Sequence, residues 1–259
     1  MIFVSTFLYT AAKLAGDEWE AWREKQTRAL GQSEWPGLRT VGQVLQYLGE
    51  PIDLYMGGNT LITKSRCHAA GFFLRSKADV WLTVDDDIFA AADVCSQLVT
   101  VARHTRGMVA GPAVLRSGKA FNFHRASGPV EWLGPCAYAH VDQIGFGIVA
   151  IHRDLVEVLA RRARTVNPGP DSYPALFLED VDEEGTWIGE DVGFCHLAHK
   201  TGAAVHMLCN AAVEHCGRAM KVSDKLEPMV QSEEVAKGIE VERLAPHAGE
   251  LELTGDQHG

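Results

Sequence analysis

Three consecutive carboxylates follow a strongly apolar stretch in the first half of the chain. Residues 80–84, Val-Trp-Leu-Thr-Val, have the pattern of a strand that is covered on both faces in a parallel sheet. Asp85, Asp86 and Asp87 come directly after it, where the strand would leave the sheet. Ligands of open α/β sheets bind at this edge, and a hard divalent cation with oxygen ligands would offset the repulsion between the three acids. The cluster therefore predicts a metal and nucleotide site.

The elements around the acids predict an α/β fold. Apolar runs at 2–8, 52–56, 107–114, 203–208 and 211–213 indicate strands, and helical patterns cover 11–30, 38–48, 61–76, 90–103, 153–164 and 192–202. Short segments between 121 and 139 indicate antiparallel ribbons. We expect a mostly parallel central sheet with helices on both faces and a small antiparallel ribbon. Thr6 would place a hydroxyl near the end of the first strand.

The bulk composition limits the organisation of the chain. Its 259 residues are 46% hydrophobic and 22% charged, which are ordinary values for a globular domain. We predict one domain over residues 1–220 and an acidic, partly disordered extension over 221–259, because the pattern is lost after Lys221. The chain lacks an apolar run long enough for a membrane helix, so we expect a soluble, cytoplasmic protein. The six scattered cysteines are expected to be buried free thiols.

A basic pair near the second strand could receive an anion. Gly57-Gly58-Asn59-Thr60 follows that strand and leads into a helix, whose N-terminus can bind a negatively charged group. Lys64 and Arg66 lie in the first two turns of this helix. The alternative interpretation is a solvated basic helix face.

The order of these features resembles the GT-A fold of nucleotide-sugar-dependent glycosyltransferases. Asp85–Asp87 resembles the D-x-D motif of that family, and Gly145–Gly147 resembles its glycine-rich acceptor loop. Gly189–Asp191 resembles the x-E-D motif, and His215 resembles the C-terminal metal-binding histidine. The resemblance spans roughly residues 2–217. Its stretch from Gly58 to Ile88 is similar to a bacteriophage-type branch of small glycosyltransferases, which usually has Arg-Asn where this chain has Arg66-Cys67.

The resemblance implies a reaction and a set of ligands. The cation would be Mn²⁺ or Mg²⁺, held by Asp85, Asp87 and His215, with the imidazole favouring manganese. The donor would be a nucleoside diphosphate sugar, with a UDP-sugar as the favoured choice. The residues implied in donor binding are Thr6, Lys64, Arg66, Asp85, Asp86, Gly145 and Gly147. The alternative for His215 is a satisfied core histidine.

The x-E-D motif supplies the implied catalytic groups. Asp191 would be the general base and Glu190 would orient the acceptor, which gives inversion at the anomeric carbon, although retention stays open. A helix N-terminus stabilises carboxylates, so an acid pair with only this local role is the competing interpretation.

Two acceptors and two other functions remain open at the level of sequence. The acceptor is either a hydroxymethylated pyrimidine in phage-type DNA, suggested by the resemblance alone, or a saccharide or small molecule, favoured by the net charge of −10. The charge is uneven: residues 1–168 carry 18 Lys and Arg against 16 Asp and Glu, and residues 169–259 carry 6 against 18. A DNA acceptor would require the basic residues to line one face; these are Arg103, Arg106, Arg116, Lys119 and Arg125. A nucleotidyltransferase and a nucleotide- or carbohydrate-binding module are the alternative functions.

Overall fold

The structure is a computed structural model of the whole chain, and it describes residues 1–7, 33, 36–57, 61–113, 122–167, 169–215 and 218–221. The helix expected over 11–30, the turn residues 58–60 and the extension beyond residue 221 lie outside the described residues. So do Arg116 and Lys119.

Helices and strands alternate over roughly the first 110 residues, and strands predominate in the rest of the described chain. In chain order the elements are β1 (Ile2–Phe7), α1 (Pro36–Tyr47), β2 (Ile52–Gly57), α2 (Ile62–Arg75), β3 (Val80–Asp85), β4 (Ile88–Phe89), α3 (Ala92–Thr105), β5 (Met108–Ala110), β6 (Phe123–Leu133), β7 (Cys136–Ile144), β8 (Ile148–His152), α4 (Arg153–Ala160), β9 (Thr165–Val166), β10 (Tyr173–Pro174), β11 (Asp180–Val181), β12 (Trp187–Ile188), α5 (Glu190–Lys200), β13 (Val205–Leu208), β14 (Ala212–His215) and β15 (Arg218–Lys221).

An eight-stranded sheet forms the centre of the molecule, in the order β2-β1-β3-β8-β5-β13-β7-β6. β3 is parallel to β1, and β8 is antiparallel to both β3 and β5. β7 is antiparallel to both β13 and β6, so six of the eight strands run in one direction. The antiparallel ribbon predicted from the segments between 121 and 139 is present as β6 and β7. It extends the central sheet at one edge.

Helices cover both faces of this sheet. Alternate residues of the strands face two separate apolar clusters, because successive side chains of a strand point to opposite faces. Trp81 of β3 packs with α2, α4 and α5 residues in one cluster, and Leu82 packs with α1 and α3 residues in the other. All five residues Val80–Val84 are buried, as the apolar run predicted. The predicted α/β fold class is confirmed.

A small three-stranded sheet lies at the carboxyl end of β3. Its strand order is β15-β14-β4. The first of these strands along the chain is β4, whose two residues directly follow the acid cluster. β14 is antiparallel to β4, with His215 opposite Ile88 and Glu214 opposite Phe89. Because Ile88 directly follows Asp87, this pairing brings His215 close to Asp87.

Candidate functional site

The acid cluster is held by backbone contacts from two other segments. Asp85 is the last residue of β3, and its N–H donates to the carbonyl oxygen of Gly147 at 2.8 Å. The N–H of Gly37 donates to the carbonyl oxygen of Asp86 at 2.9 Å. A Cβ atom at Gly37 would lie 2.4 Å from the carbonyl oxygen of Asp85 and 2.8 Å from Cα of Asp86. The first turn of α1 can therefore contact the acid turn only because residue 37 lacks a side chain.

Thr40, one turn further along α1, fixes the chain just after the acids. Its buried hydroxyl lies 2.9 Å from the carbonyl oxygen of Ile88 and accepts a hydrogen bond from the N–H of Ala90, also at 2.9 Å. Both ends of β4 are thereby tied to α1. The strand that pairs with β14 is thus held in place by a hydroxyl that the sequence did not single out.

Asp87 and His215 meet across the small sheet. His215 Nε2 lies 3.1 Å from Asp87 Oδ2, a hydrogen-bond distance, and both side chains are mostly buried. They are 128 residues apart in sequence. The convergence of these two predicted metal ligands is thus present in the fold.

Arg66 joins the acid cluster to the x-E-D motif. Its Nη2 donates to Asp85 Oδ1 at 3.0 Å and Oδ2 at 3.1 Å, and its Nη1 donates to Glu190 Oε1 at 2.7 Å. The guanidinium carbon lies 5.2 Å from the centre of the Phe146 ring. Arg66 is only 3% exposed. The sequence suggested that it binds the diphosphate of the sugar donor, but here it binds two carboxylates of the protein.

Burial and charge act in opposite directions on this ion pair. Burial raises the pKa of Asp85 to about 6, while the Arg66 charge favours its ionised form. Burial alone would lower the pKa of Arg66, but the charges of Asp85 and Glu190 outweigh it and raise the pKa. The guanidinium therefore stays charged, and Asp85 is mostly ionised at neutral pH.

Glu190 and Asp191 form the first turn of α5, where the helix dipole favours negative charge. Asp191 Oδ1 accepts a hydrogen bond from the N–H of Val192 at 2.8 Å. Its Oδ2 lies 3.4 Å from the position that a Cβ atom at Gly145 would occupy. A side chain at residue 145 would therefore contact the candidate base.

The glycine-rich loop between β7 and β8 closes another side of the site. A Cβ at Gly147 would lie 3.0 Å from Ile88, and one at Gly145 would lie 3.2 Å from Asn122. The Asn122 amide donates to the Gly145 carbonyl oxygen at 3.0 Å and its side-chain oxygen accepts from Ala113 N at 2.9 Å. Asn122 thus ties the loop to Ala113, a role for which the sequence contained no signal.

These side chains line one cleft of about 290 Å³. Its walls are made by Ile62, Arg66, Asp85, Asp86, Asp87, Ile88, Ala113, Asn122, Gly145, Phe146, Gly147, Glu190, Asp191 and His215. The cleft lies at the carboxyl end of β3, where the sequence predicted a ligand site. Most of the predicted site residues are therefore neighbours in the fold.

Two predicted donor contacts are not part of the cleft lining. Thr6 is fully buried within β1, and its hydroxyl has no hydrogen-bond partner among the described residues. Lys64 is exposed on α2. Neither position could be judged from sequence, because helix phase and strand depth decide which side chains reach the edge.

A DNA acceptor would require five basic residues to line one face, and the structure describes the side chains of only two of them, Arg103 and Arg106. Arg103 forms hydrogen bonds of 2.7 Å with both Glu50 and Asp79, which precede β2 and β3. Arg106 pairs with Asp154 in the same region. At a rise of about 3.3 Å per residue, the length of β3 separates this region from the cleft by roughly 20 Å. Arg103 and Arg106 are therefore paired with carboxylates at the opposite end of the strands from the cleft.

The donor set partly suits a divalent cation. An octahedral ion with bonds of about 2.1 Å separates adjacent ligand atoms by about 3.0 Å, close to the 3.1 Å between Asp87 Oδ2 and His215 Nε2. Asp85 differs, since Arg66 occupies both of its oxygens. The described residues contain no group of three His, Cys, Asp or Glu side chains arranged around one ion. Asp87 and His215 would thus offer an ion two protein ligands, and its other coordination positions would need oxygen ligands from outside the protein.

Comparison with known proteins gives only distant similarity. No family model and no curated protein sequence matches the chain. A197 from STIV is 16% identical over 86% of each chain, with a TM-score of 0.48. GalNAc-T7 with UDP, GalNAc and Mn²⁺ is 12% identical over 83% of this chain and 43% of its own, with a TM-score of 0.45. The UTP-bound UGPase of Acinetobacter baumannii is 8% identical over 78% of this chain and 65% of its own, with a TM-score of 0.37.

Within the described residues, none of the helices is long and apolar enough to cross a membrane.

Proposed function

We propose that this protein is a metal-dependent glycosyltransferase that moves a sugar from a nucleoside diphosphate sugar to an acceptor hydroxyl with inversion. The observation that carries the proposal is the contact of 3.1 Å between Asp87 and His215, in the same cleft as Glu190 and Asp191. One cleft thus contains a pair of groups suited to a cation and a pair suited to proton transfer. Glycosyl transfer from a diphosphate donor needs both.

The donor half of the site is assigned to the acid turn and the glycine-rich loop. Mn²⁺ or Mg²⁺ held by Asp87 and His215 would neutralise the charge that develops on the departing diphosphate. Asp86 also lies in the cleft wall, on the side assigned to the nucleoside and the sugar. Gly145 and Gly147 allow the loop to pack closely against Asn122 and Ile88 beside the acid turn. A UDP-sugar remains the favoured donor.

The acceptor half of the site is assigned to Glu190 and Asp191. The acceptor oxygen attacks the anomeric carbon and forms the new glycosidic bond, while the bond from that carbon to the phosphate oxygen breaks and its electron pair leaves with the diphosphate. The acceptor proton passes to the Asp191 carboxylate. A single displacement of this kind inverts the anomeric centre.

A saccharide or another uncharged acceptor suits the surroundings of Asp191 better than DNA. The segment before α5 carries five exposed or partly exposed carboxylates, which repel phosphate groups; they are Glu179, Asp180, Asp182, Glu183 and Glu184. Its β11–β12 pair presents Val181 beside Trp187, and the Trp187 side chain is 65% exposed. An exposed indole can stack on a sugar ring, and the neighbouring carboxylates can accept hydrogen bonds from the sugar hydroxyls. Hydroxymethylated DNA is retained as the competing acceptor.

A mass-spectrometric assay with Mn²⁺ tests the function. A panel of nucleotide sugars is supplied with mixed saccharides or with hydroxymethylated DNA. Sugar transfer with release of nucleoside diphosphate is the expected result. Pyrophosphate release would indicate a nucleotidyltransferase, and binding without turnover a binding module; either result contradicts the proposal. Transfer to DNA that falls steeply with salt would replace the saccharide by DNA as the acceptor.

A further inference from the structure

Arg66 occupies the centre of the cleft wall, yet its contacts are with protein groups. We propose that Arg66 is a positioning residue, which fixes Asp85 and Glu190 relative to each other and makes no contact with the donor diphosphate. This inference rests on the proposed function, because it concerns how the two halves of that site are held together. It replaces the donor contact that the sequence suggested for Arg66.

The two terminal nitrogens of Arg66 are bound by carboxylates, and its Nε is buried without a hydrogen-bond partner among the described residues. Nη2 contacts both oxygens of Asp85 and Nη1 contacts Glu190, at distances between 2.7 and 3.1 Å. The side chain is 4% exposed and lies over the Phe146 ring. Phe146 is itself packed against Phe177 and Phe194 in the core. A diphosphate could reach the charged group only if one carboxylate were displaced.

The planarity of the guanidinium makes the bridge geometrically restrictive. Its N–H groups point in fixed directions within one plane, so the position of one carboxylate limits the position of the other. Lysine would retain the charge but not this fork, because its ammonium group is a single point of charge. The arrangement therefore depends on arginine itself and not only on a positive charge.

The bridge connects two parts of the chain that carry different chemistry. Asp85 is two residues before Asp87 at the end of β3, and Glu190 is adjacent to Asp191 in α5. Arg66 is 19 residues from Asp85 and 124 residues from Glu190 in sequence. A shift of the guanidinium would move the candidate base relative to the acid turn. Misplacement of reacting groups by about 1 Å can reduce a rate by about 100-fold.

The charge of Arg66 supports the same conclusion. Five carboxylates line the cleft, and the described lining contains no other Lys or Arg. Without a cation between them, Asp85 and Glu190 would repel each other. Arg66 thus offsets the repulsion between the β3 acids and the α5 acids before any donor binds.

Arg66→Lys is the variant that tests this inference, with Arg75→Lys as its matched control. Arg75 lies on the same helix and also over a phenylalanine ring, that of Phe72, but it is exposed and donates to the Ser172 carbonyl. We expect Arg66→Lys to lower kcat about 100-fold and to change the calorimetric Kd for Mn²⁺-UDP less than about 3-fold. Arg75→Lys should change neither. A proportional rise in the Kd with an unchanged kcat would show that Arg66 contacts the diphosphate, and an unchanged kcat and Kd would show that the fork is not needed.

Two further measurements keep the inference falsifiable. A urea-unfolding cycle with Glu190→Gln should show that the effects of the two substitutions are not additive, and additive effects would show that the bridge is absent in solution. If Arg66→Lys does not fold, a crystal structure of the wild-type protein with Mn²⁺ and UDP decides. Arg66 should remain on Asp85 and Glu190, and a guanidinium turned onto the phosphates would overturn the inference. Wild-type protein that transfers no sugar contradicts the proposed function instead, and the unfolding cycle then tests the bridge alone.

Discussion

Asp87 and His215 are separated by 128 residues in sequence, and their side chains lie 3.1 Å apart. The contact exists because β4, which follows the acid turn, pairs with β14, which ends at His215. The Thr40 hydroxyl of α1 also holds β4, through hydrogen bonds with the Ile88 carbonyl oxygen and the Ala90 N–H. Three elements therefore converge to place one carboxylate and one imidazole at a distance suited to a shared ion.

Removal of either member of this pair should abolish metal-dependent donor binding. We expect Asp87→Ala and His215→Ala each to weaken the binding of UDP in the presence of Mn²⁺ by at least about 100-fold, because half of the protein ligand set is lost. Isothermal titration calorimetry with and without EDTA measures this. His104→Ala is the control for histidine removal, since His104 is exposed at the end of α3, near the opposite edge of the sheet. Unchanged Mn²⁺-UDP binding in His215→Ala would exclude His215 as a ligand.

Removal of the candidate base should affect transfer and not binding. Asp191→Asn keeps the size of the side chain but cannot accept the acceptor proton, so kcat should fall by about 10²–10⁴-fold with an unchanged Kd for Mn²⁺-UDP. Asp93→Asn provides the control for a carboxylate lost from a helix first turn, because Asp93 has that position in α3. If both variants lost the same modest activity, the role of Asp191 would be limited to stabilising its helix.

The exposed indole of Trp187 should contribute to acceptor binding. We expect Trp187→Ala to raise the acceptor KM about 10-fold and to leave donor binding unchanged, because a stacked ring contributes on the order of 1 kcal/mol. Neither tryptophan lines the cleft, but Trp187 is four residues before Asp191, whereas Trp132, which is exposed to a similar degree at 68%, lies on β6. Trp132→Ala is therefore the matched control. Steady-state kinetics at saturating donor gives both values. An equal rise in KM for the two variants would contradict an acceptor role for Trp187.

Gly37 should be intolerant of a side chain. In Gly37→Ala the new Cβ would meet backbone atoms of Asp85 and Asp86 at 2.4 and 2.8 Å, so either α1 or the acid turn must move. We expect a loss of roughly 1–3 kcal/mol in the free energy of unfolding, together with weaker Mn²⁺-UDP binding. Urea denaturation and calorimetry measure the two effects. Wild-type metal and donor affinity in a folded Gly37→Ala protein would show that the acid turn need not be held by α1.

Arg103, Glu50 and Asp79 form an ion cluster at the amino ends of the strands. We expect this cluster to make the free energy of unfolding depend on pH in the acidic range. Hydrogen bonds from Arg103 lower the pKa of Glu50, and they lower the pKa of Asp79 although burial acts in the opposite direction. A lowered pKa in the folded state means that this stabilisation is present above the unfolded values of 4.5 and 3.8 and is lost as the pH falls below them.

Arg103→Met should therefore reduce the loss of stability between about pH 5 and pH 2, measured as the free energy of unfolding in urea. Its effect at neutral pH should be about 1 kcal/mol, because the cluster is partly exposed. Arg106→Met, which removes a more exposed pair with Asp154, should change the acid dependence less. Parallel pH profiles for Arg103→Met and the wild type would contradict this assignment.

Local patterns were sufficient to predict most of the fold. The apolar run before the acids identified β3, and its buried residues confirm that both faces are covered. Strand order and direction were less accessible. β8 is antiparallel to its neighbours β3 and β5, and nothing in its short apolar pattern distinguishes this from a parallel arrangement. The predicted helix over 153–164 ends at Ala160, so the pattern also overestimated its length.

The sequence predicted most of the residues in the candidate site but not the contacts between them. The resemblance to the GT-A fold implied that the acids, the glycine loop, the x-E-D motif and His215 share one site, and the cleft contains all of them. The engagement of Arg66 with Asp85 and Glu190 depends on how α2, β3 and α5 pack together. Gly37, Thr40 and Asn122 act through backbone contacts, which leave no recognisable motif. Such roles follow from tertiary structure alone.

The central claim is that Asp87 and His215 hold one divalent ion against a donor diphosphate. An anomalous difference map, collected near the manganese absorption edge from crystals grown with Mn²⁺ and UDP, tests it most directly. The expected result is one peak within about 2.3 Å of both Asp87 Oδ2 and His215 Nε2, next to the diphosphate. A peak elsewhere, or a diphosphate bound with Asp87 and His215 still hydrogen-bonded to each other, would contradict it.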